Sequence, residues 1–260
     1  MNLLDRLLKK DSPAPALPSI AFVDFEYWYY SYKNLFAMTP NIRAWKEGLP
    51  YEPVDIMVFA EFSSNNGIAE QVTELRTVTN TIIETRQQTG FRKKDMTDFI
   101  MLDYIYRTAA TRPEIGTYII FTGDGHFQSV VKYLTSLGKE VIVYGIKESI
   151  STALRAVATR VVEIPDREAL YDRYAMLIIN NLAHAQTRDS IIPTFNGTIG
   201  AIIRQNDNVS EEMLRLTLQN MLDAGLINRK LRSIDFNRKV KVLSPDWEKL
   251  HDAGLWDYGR

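Results

Sequence analysis

Apolar residues fall into two regimes along the chain. Up to Pro165, short and nearly uninterrupted apolar runs alternate with stretches of helical period; beyond it the runs give way to amphipathic segments. The runs Ser19–Asp24 (SIAFVD), Val54–Phe59 (VDIMVF), Tyr118–Thr122, Glu140–Tyr144 (EVIVY) and Arg160–Ile164 read as strands. Between them WYYSYKNLF begins a helix that must stop before Pro40. Residues 69–88 read as a polar-faced helix with apolar points at Val72, Leu75, Val78 and Ile82. Thr97–Ala110, Phe127–Leu137 (closed by Gly138) and a short segment at Ile150–Ala158 complete the helices of this half. Strands separated by helices imply parallel pairing with right-handed crossovers. The expected architecture is therefore an α/β domain with helices on both faces of a mostly parallel sheet.

Past Pro165 the pattern predicts helices over Glu168–Gln186, Thr198–Arg204 and Ser210–Ala224, the last stopped by Gly225. LINRKLRSI and NRKVKVL then flank the turn Asp235-Phe236-Asn237 and read as a β-hairpin. Three helices and a hairpin predict a smaller, winged-helix-like domain over 166–260. At the other end, residues 2–10 predict a short amphipathic helix with Leu3, Leu4, Leu7 and Leu8 on one side, followed by the proline-rich linker SPAPALP. Residues 1–17 are thus expected to stand apart from a domain spanning 18–165.

Composition narrows the chemistry. With 45% hydrophobic and 24% charged residues, the 260-residue chain has the balance of a soluble globular protein with a sizeable core. Its formal net charge of -1 exerts no overall pull on nucleic acid, so such a partner needs a local patch. The absence of cysteine removes disulfides, thiol nucleophiles and cysteine zinc sites. No apolar run approaches the roughly 18 residues of a membrane span, and MNLLDRLLKKD is unlike a secretory signal, so a cytoplasmic location is expected.

In open parallel sheets, ligands bind beyond the carboxyl ends of the strands. Asp24 ends the first strand, Asp124 follows the strand at Tyr118–Thr122, and Asp98 opens the helix of KKDMTDFIMLDYIY. Three carboxylates meeting at that rim require a cation, and oxygen ligands suit Mg²⁺ or Mn²⁺, which would hold a phosphate and activate water. Each acid also has a structural reading. Asp24 suits a strand-end turn, Asp98 the first turn of a helix capped by Asp95, and Asp124 the cap of the helix after it. Asp103, about 140° around the helix from Asp98, reads as a solvated or ion-paired acid. Gly123-Asp124-Gly125 begins like a dinucleotide turn, but Gln128 stands where Gly or Ala is needed. Neither GxxxxGK[ST] nor GxSxG occurs, and the histidines at 126, 184 and 251 form no evident triad.

FVDFEY, KKDMTDFIMLD and IIFTGDGHFQSVVKYLTSLGKEVIVYGI together resemble the NYN domain, the LabA-like branch of the PIN-like nucleases, over roughly residues 18–165. The resemblance implies a PIN-like fold and metal-dependent hydrolysis of RNA phosphodiesters, with the acidic site at Asp24, Asp98 and Asp124. Two positions depart from it. The family's Asp-x-x-Asn has Tyr27 in fourth place, and its Gly-Asp-x-Asp-Phe has His126 as the second acid. Glu26, on the same side as Asp24 if the strand alternation continues, is one replacement for the lost carboxylate. His126 as a ligand, which would favour Mn²⁺, is another; stabilisation of the attacked phosphate and plain packing at the helix start are further roles open to it.

Arg229, Lys230, Arg232, Arg238, Lys239 and Lys241 cluster on the two hairpin arms, opposed only by Asp235. They suit a phosphate-contacting wing, and equally a hairpin edge protected from aggregation. The third helix, acidic at its start and rich in apolar positions, would make a poor groove reader, so protein interaction or homodimerisation is an equal expectation for this domain. Among Trp28, Tyr29, Tyr30 and Tyr32, rings left outside the core are candidates for stacking unpaired bases, and Lys93 and Lys94 for steering a backbone toward the metal. The leading expectation is a metal-dependent endoribonuclease acting on single-stranded RNA. The alternatives are a non-catalytic nucleic-acid-binding or regulatory protein on a degenerate nuclease fold, and a phosphatase or nucleotide hydrolase using the same acids.

Overall fold

The computed structural model describes residues 17–63, 66–85, 96–188, 190–206, 209–235 and 238–257. The expected N-terminal helix, most of the proline-rich linker, Lys93, Lys94 and Asp95 lie outside the described residues. The chain divides into two compact units: the residues up to Tyr32 with Thr39–Ile164, and Lys33–Met38 with the residues from Pro165 onward. The small segment at Lys33–Met38 joins the second unit because Phe36 packs against that unit's core.

In the first unit β1 (Ser19–Asp24) leads into α1 (Phe25–Ser31), which widens into a π-helical segment at Tyr32–Phe36. Then come α2 (Ile42–Glu47), β2 (Pro53–Ala60), the single turns α3 (Asn66–Ala69) and α4 (Val72–Leu75), and β3 (Ile82–Glu84). After them follow α5 (Thr97–Thr111), β4 (Thr117–Phe121), a 3-10 turn (Gly125–Phe127), α6 (Gln128–Ser136), β5 (Glu140–Ile146), α7 (Thr152–Arg155) and β6 (Arg160–Ile164). The six strands form one sheet in the order β3-β2-β1-β4-β5-β6, every neighbouring pair parallel. β1, β4 and nearly all of β5 are buried, as continuous apolar strands covered on both faces must be.

One face packs Ile20, Phe22, Tyr118, Ile120, Val141 and Val143 against Met101 and Ile105 of α5 and Val130, Val131 and Leu134 of α6. The other face is aromatic: Trp28 of α1 stacks on Phe121 at 4.3 Å between centroids, and Trp45 of α2 meets both. This assigns Trp28 and Tyr32 to the core, while Tyr30 is exposed.

The predicted helix over 69–88 is corrected. Among its described residues, Ala69 ends the turn α3, Val72–Leu75 forms the separate turn α4, and Ile82–Glu84 is an edge strand paired with β2. Tertiary hydrogen bonds override the helical spacing. The Thr79 hydroxyl donates to the Ile56 carbonyl at 2.6 Å and accepts from the Thr81 amide, while Val58 N–H donates to the Thr81 carbonyl. The β-branched residues Thr79, Thr81, Ile82 and Ile83 suit that extended path. Helix α2 has no apolar period long enough to announce it; it starts where the Asn41 side chain accepts from Ala44 N–H.

The second unit contains α8 (Arg167–Gln186), α9 (Phe195–Gln205), α10 (Glu211–Asp223), the hairpin β7 (Ile227–Asp235) with β8 (Arg238–Pro245), and α11 (Trp247–Asp252), a helix beyond the three expected. Leu170, Ile178, Ile179 and Leu182 of α8, Ile199 and Ile202 of α9, and Leu214, Leu218 and Met221 of α10 share its core with Ile227, Leu243 and Leu250. Asp166, Thr194, Ser210 and Asp246 cap the four helices by accepting from an amide in the first turn.

Candidate metal centre

Strands β1 and β4 are neighbours, yet the chain proceeds from β1 to β2 and β3 on one side and from β4 to β5 and β6 on the other. Their carboxyl ends therefore form the topological switch point, where the loops diverge and leave a crevice. Asp24 and Asp124 both lie there, and the start of α5 brings Asp98 beside Asp124. One ligand atom from each of Asp98, Asp124 and His126 lies within 4.8 Å of the others. Asp98 and Asp124 are half-buried and His126 is exposed.

Asp124 Oδ1 accepts from the His126 amide at 2.8 Å, capping the 3-10 turn, and lies 3.1 Å from the ring Nδ1. The capping reading of Asp124 is thus realised, and the cluster forms around the same carboxylate. Asp24 is buried and accepts from Tyr27 N–H at 3.0 Å, capping α1.

Asp24 and Glu26 contribute no atom to the Asp98–Asp124–His126 group. The premise that placed Glu26 beside Asp24 by strand alternation is corrected: β1 ends at Asp24 and Glu26 is already helical. Its carboxylate accepts from Glu61 N–H at the end of β2. Asp103 pairs with Arg107 one helical turn on, as an ion-paired acid.

Tyr27, in the place of an asparagine in the resembled motif, is a wedge. Its hydroxyl accepts from Ile146 N–H at 2.8 Å and lies 2.6 Å from Ser149 Oγ, which also bonds the Ile146 carbonyl at 3.0 Å. Counting protons, Ser149 donates to that carbonyl, so Tyr27 donates to Ser149 and a closed ring of three hydrogen bonds results. Burial raises the phenol above its ordinary pKa, and the Asp24 charge adds to this, against the two hydrogen bonds. The ring fastens α1 to the loop after β5, where Glu148 has φ 68, an uncommon conformation for a residue other than glycine.

Gly123 is required at this crossing. A Cβ there would stand 2.4 Å from Tyr27 Oη and 2.6 Å from the Ser149 carbonyl oxygen. Nothing local in the sequence marks Ser149, whose partner Tyr27 is 122 positions away.

The six basic hairpin residues are exposed, but they do not form one patch. The register pairs Arg229 with Leu243, Leu231 with Lys241 and Ser233 with Lys239, so Arg229, Lys239 and Lys241 share one face. Lys230 and Arg232 take the other, and Arg238 sits beside the turn. Arg229 lies over the Phe195 ring at 5.9 Å, and Arg232 donates to the Ile191 carbonyl at 3.4 Å.

Residues 19–165 match the family model described as the NYN domain. The chain is also similar to a solved structure, a protein of unknown function from Vibrio parahaemolyticus. That similarity has a TM-score of 0.50 and 23% identity, covers 59% of this chain and 96% of that one, and bears on the fold alone. No curated protein matches the chain. Among the described residues no helix is long and apolar enough to cross a membrane.

Proposed function

The chain belongs to the NYN domain family, with its nuclease-like, PIN-like α/β fold, and we propose that it is a metal-dependent endoribonuclease of the LabA-like branch acting on single-stranded RNA. The observation that carries this reading is the convergence of Asp98, Asp124 and His126 at the switch point of the sheet. Two carboxylates and an imidazole are a donor set that fits a divalent cation, and the nitrogen shifts the preference from Mg²⁺ toward Mn²⁺. When bound, such an ion supplies positive charge to the phosphate oxygens and makes water a better nucleophile.

The chain's own residues set the rest. Asp98 and Asp124 hold the negative charge, and Asp24, at the end of the neighbouring strand, is the remaining acid of the proposed set. Nδ1 of His126 lies 3.1 Å from Asp124 Oδ1, so the exposed imidazole stands beside the acids with a nitrogen to offer a metal or a proton. Tyr30, exposed beside Tyr29 at 5.5 Å between centroids, is the candidate ring for stacking a base. In the second unit, α8, α9, α10 and the hairpin are read as a winged-helix module whose Arg238, Lys239 and Lys241 contact phosphates. Cytoplasmic location and a homodimer belong to the same proposal.

The test is cleavage of end-labelled single-stranded RNA by the purified full chain with Mn²⁺. Asp24→Asn and Asp124→Asn are expected to abolish it with the circular dichroism spectrum unchanged; cleavage persisting in either variant ends the assignment. One observation favours the second reading, a non-catalytic RNA-binding relic: Asp24 and Asp124 are both already engaged as helix caps. That reading expects salt-sensitive RNA binding with no metal requirement, and turnover by nuclease-free preparations removes it.

A further inference from the structure

Asp98 reaches the metal centre from the first turn of α5, and that turn starts without a side-chain cap. The helices α1, α2, α8, α9, α10 and α11 each begin where a side chain accepts from a first-turn amide. Met96, at the N-cap of α5, offers no such bond. A helix end that lacks its cap is loosely held, because its leading amides have no partner within the helix. The core grips α5 further on, at Met101 and Ile105. Across Met96–Ile100 the one buried residue is Thr97, and Phe99 is 62% exposed.

Thr97 is held from outside the helix. Its hydroxyl lies 2.8 Å from the hydroxyl of Thr85, and the two residues are 4% and 3% exposed. A hydrogen bond between two buried groups persists because neither can turn to water instead. Thr85 in turn is fixed to the sheet: it follows β3 directly, and its N–H donates to the Ala60 carbonyl at 3.1 Å. β2 pairs with β1 as far as Phe59 and Asp24, so bonded contacts run from the carboxyl end of β1 across the sheet to the residue before Asp98. β4, with Asp124 beyond its end, borders β1 on the other side.

We propose that Thr85 is a positioning residue for the metal centre, its hydroxyl holding Thr97 so that the uncapped first turn of α5 keeps Asp98 within reach of Asp124 and His126. The inference rests on the metal-centre reading above and adds to it a residue that touches neither metal nor substrate. Groups behind the ligands set metal affinity because they fix where the ligand atoms stand before the ion arrives. A bond that served stability alone would leave the metal affinity of the folded chain unchanged.

Mn²⁺ binding to the full chain is measured from the electron paramagnetic resonance signal of the free ion, for the unsubstituted chain, Thr85→Val, Thr85→Ser and Ile142→Val. Thr85→Val removes the hydroxyl at nearly constant shape and is expected to weaken Mn²⁺ binding about threefold to tenfold, the worth of one hydrogen bond. Thr85→Ser keeps the hydroxyl and is expected to bind within about twofold of the unsubstituted chain. Ile142→Val deletes a buried methyl group from β5; it is expected to lower the melting temperature and leave Mn²⁺ affinity unchanged.

Hydrogen exchange of the same proteins in EDTA gives a readout without metal. The Ile100 amide donates to the Met96 carbonyl at 3.0 Å and closes the first turn, while the Arg112 amide donates to the Thr108 carbonyl at the far end of the helix. Thr85→Val is expected to speed exchange at Ile100 about threefold to tenfold relative to Arg112. Mn²⁺ bound as tightly by Thr85→Val, no recovery in Thr85→Ser, equal weakening by Ile142→Val, or unaltered exchange at Ile100 would each overturn this proposal alone. An unsubstituted chain that binds no Mn²⁺ would overturn it together with the metal-centre reading, so the two failures are distinguishable.

Discussion

Gly123→Ala, measured alone and in a Tyr27→Asn background, tests whether Tyr27 is the wedge that positions the acidic turn. In the native chain the new methyl would lie 2.4 Å from Tyr27 Oη, 2.6 Å from Tyr27 Cζ and 2.6 Å from the Ser149 carbonyl oxygen. Approaches that short force movement, and overpacking of this kind costs roughly 1–3 kcal/mol. Tyr27 is held by two hydrogen bonds and packs on Phe121 at 6.3 Å between centroids, so it yields little. Asparagine at position 27 removes both crowding ring atoms and leaves the backbone oxygen. The penalty of Gly123→Ala should therefore shrink but not vanish, with a coupling of about 0.5–2 kcal/mol between the two sites. Urea unfolding of the four proteins supplies the cycle, provided the slope of each transition is the same. Equal penalties in both backgrounds would refute the claim that Tyr27 sets the space around the turn.

Further outcomes follow from the same geometry. Asp124→Asn keeps an oxygen for the His126 amide and should leave stability within about 0.5 kcal/mol while removing cleavage, whereas Asp124→Ala should also lose about 1 kcal/mol as a missing cap, read by thermal melts. Tyr118 is fully buried, its hydroxyl lacks a partner among the described residues, and burial pushes its pKa to about 12. The proton is held more tightly in the folded state, so this contribution is intact below pH ~10 and is lost as pH rises toward about 12. Tyr118→Phe should stabilise the protein by about 1 kcal/mol and flatten that alkaline loss in denaturation curves. Lys239→Ala with Lys241→Ala, on one hairpin face, should lower the salt dependence of RNA binding by about one unit of slope for each phosphate no longer neutralised, measured by fluorescence anisotropy; an unchanged slope removes the hairpin from the interface.

The alternation of buried strands with helices is readable because each central parallel strand is a continuous apolar run and each main helix has its own start or stop residue. Asp98 and Asp124 are readable as partners from their places at a helix start and a strand end. Residues 69–88 mislead because apolar spacing at Val72, Leu75, Val78 and Ile82 satisfies a helix locally, while the deciding hydrogen bonds come from β2. Glu26 is misplaced by strand alternation because the backbone changes from strand to helix immediately after Asp24. The Tyr27–Ser149–Ile146 ring depends on side chains brought together from distant positions, which no local pattern encodes.

The most direct test of the central claim is the anomalous difference density of a crystal of the full chain soaked in Mn²⁺. A peak coordinated by Asp98, Asp124 and His126 is the expected result. Full occupancy elsewhere, or no peak at saturating Mn²⁺ with these three side chains ordered, would contradict a metal centre at the switch point of the sheet.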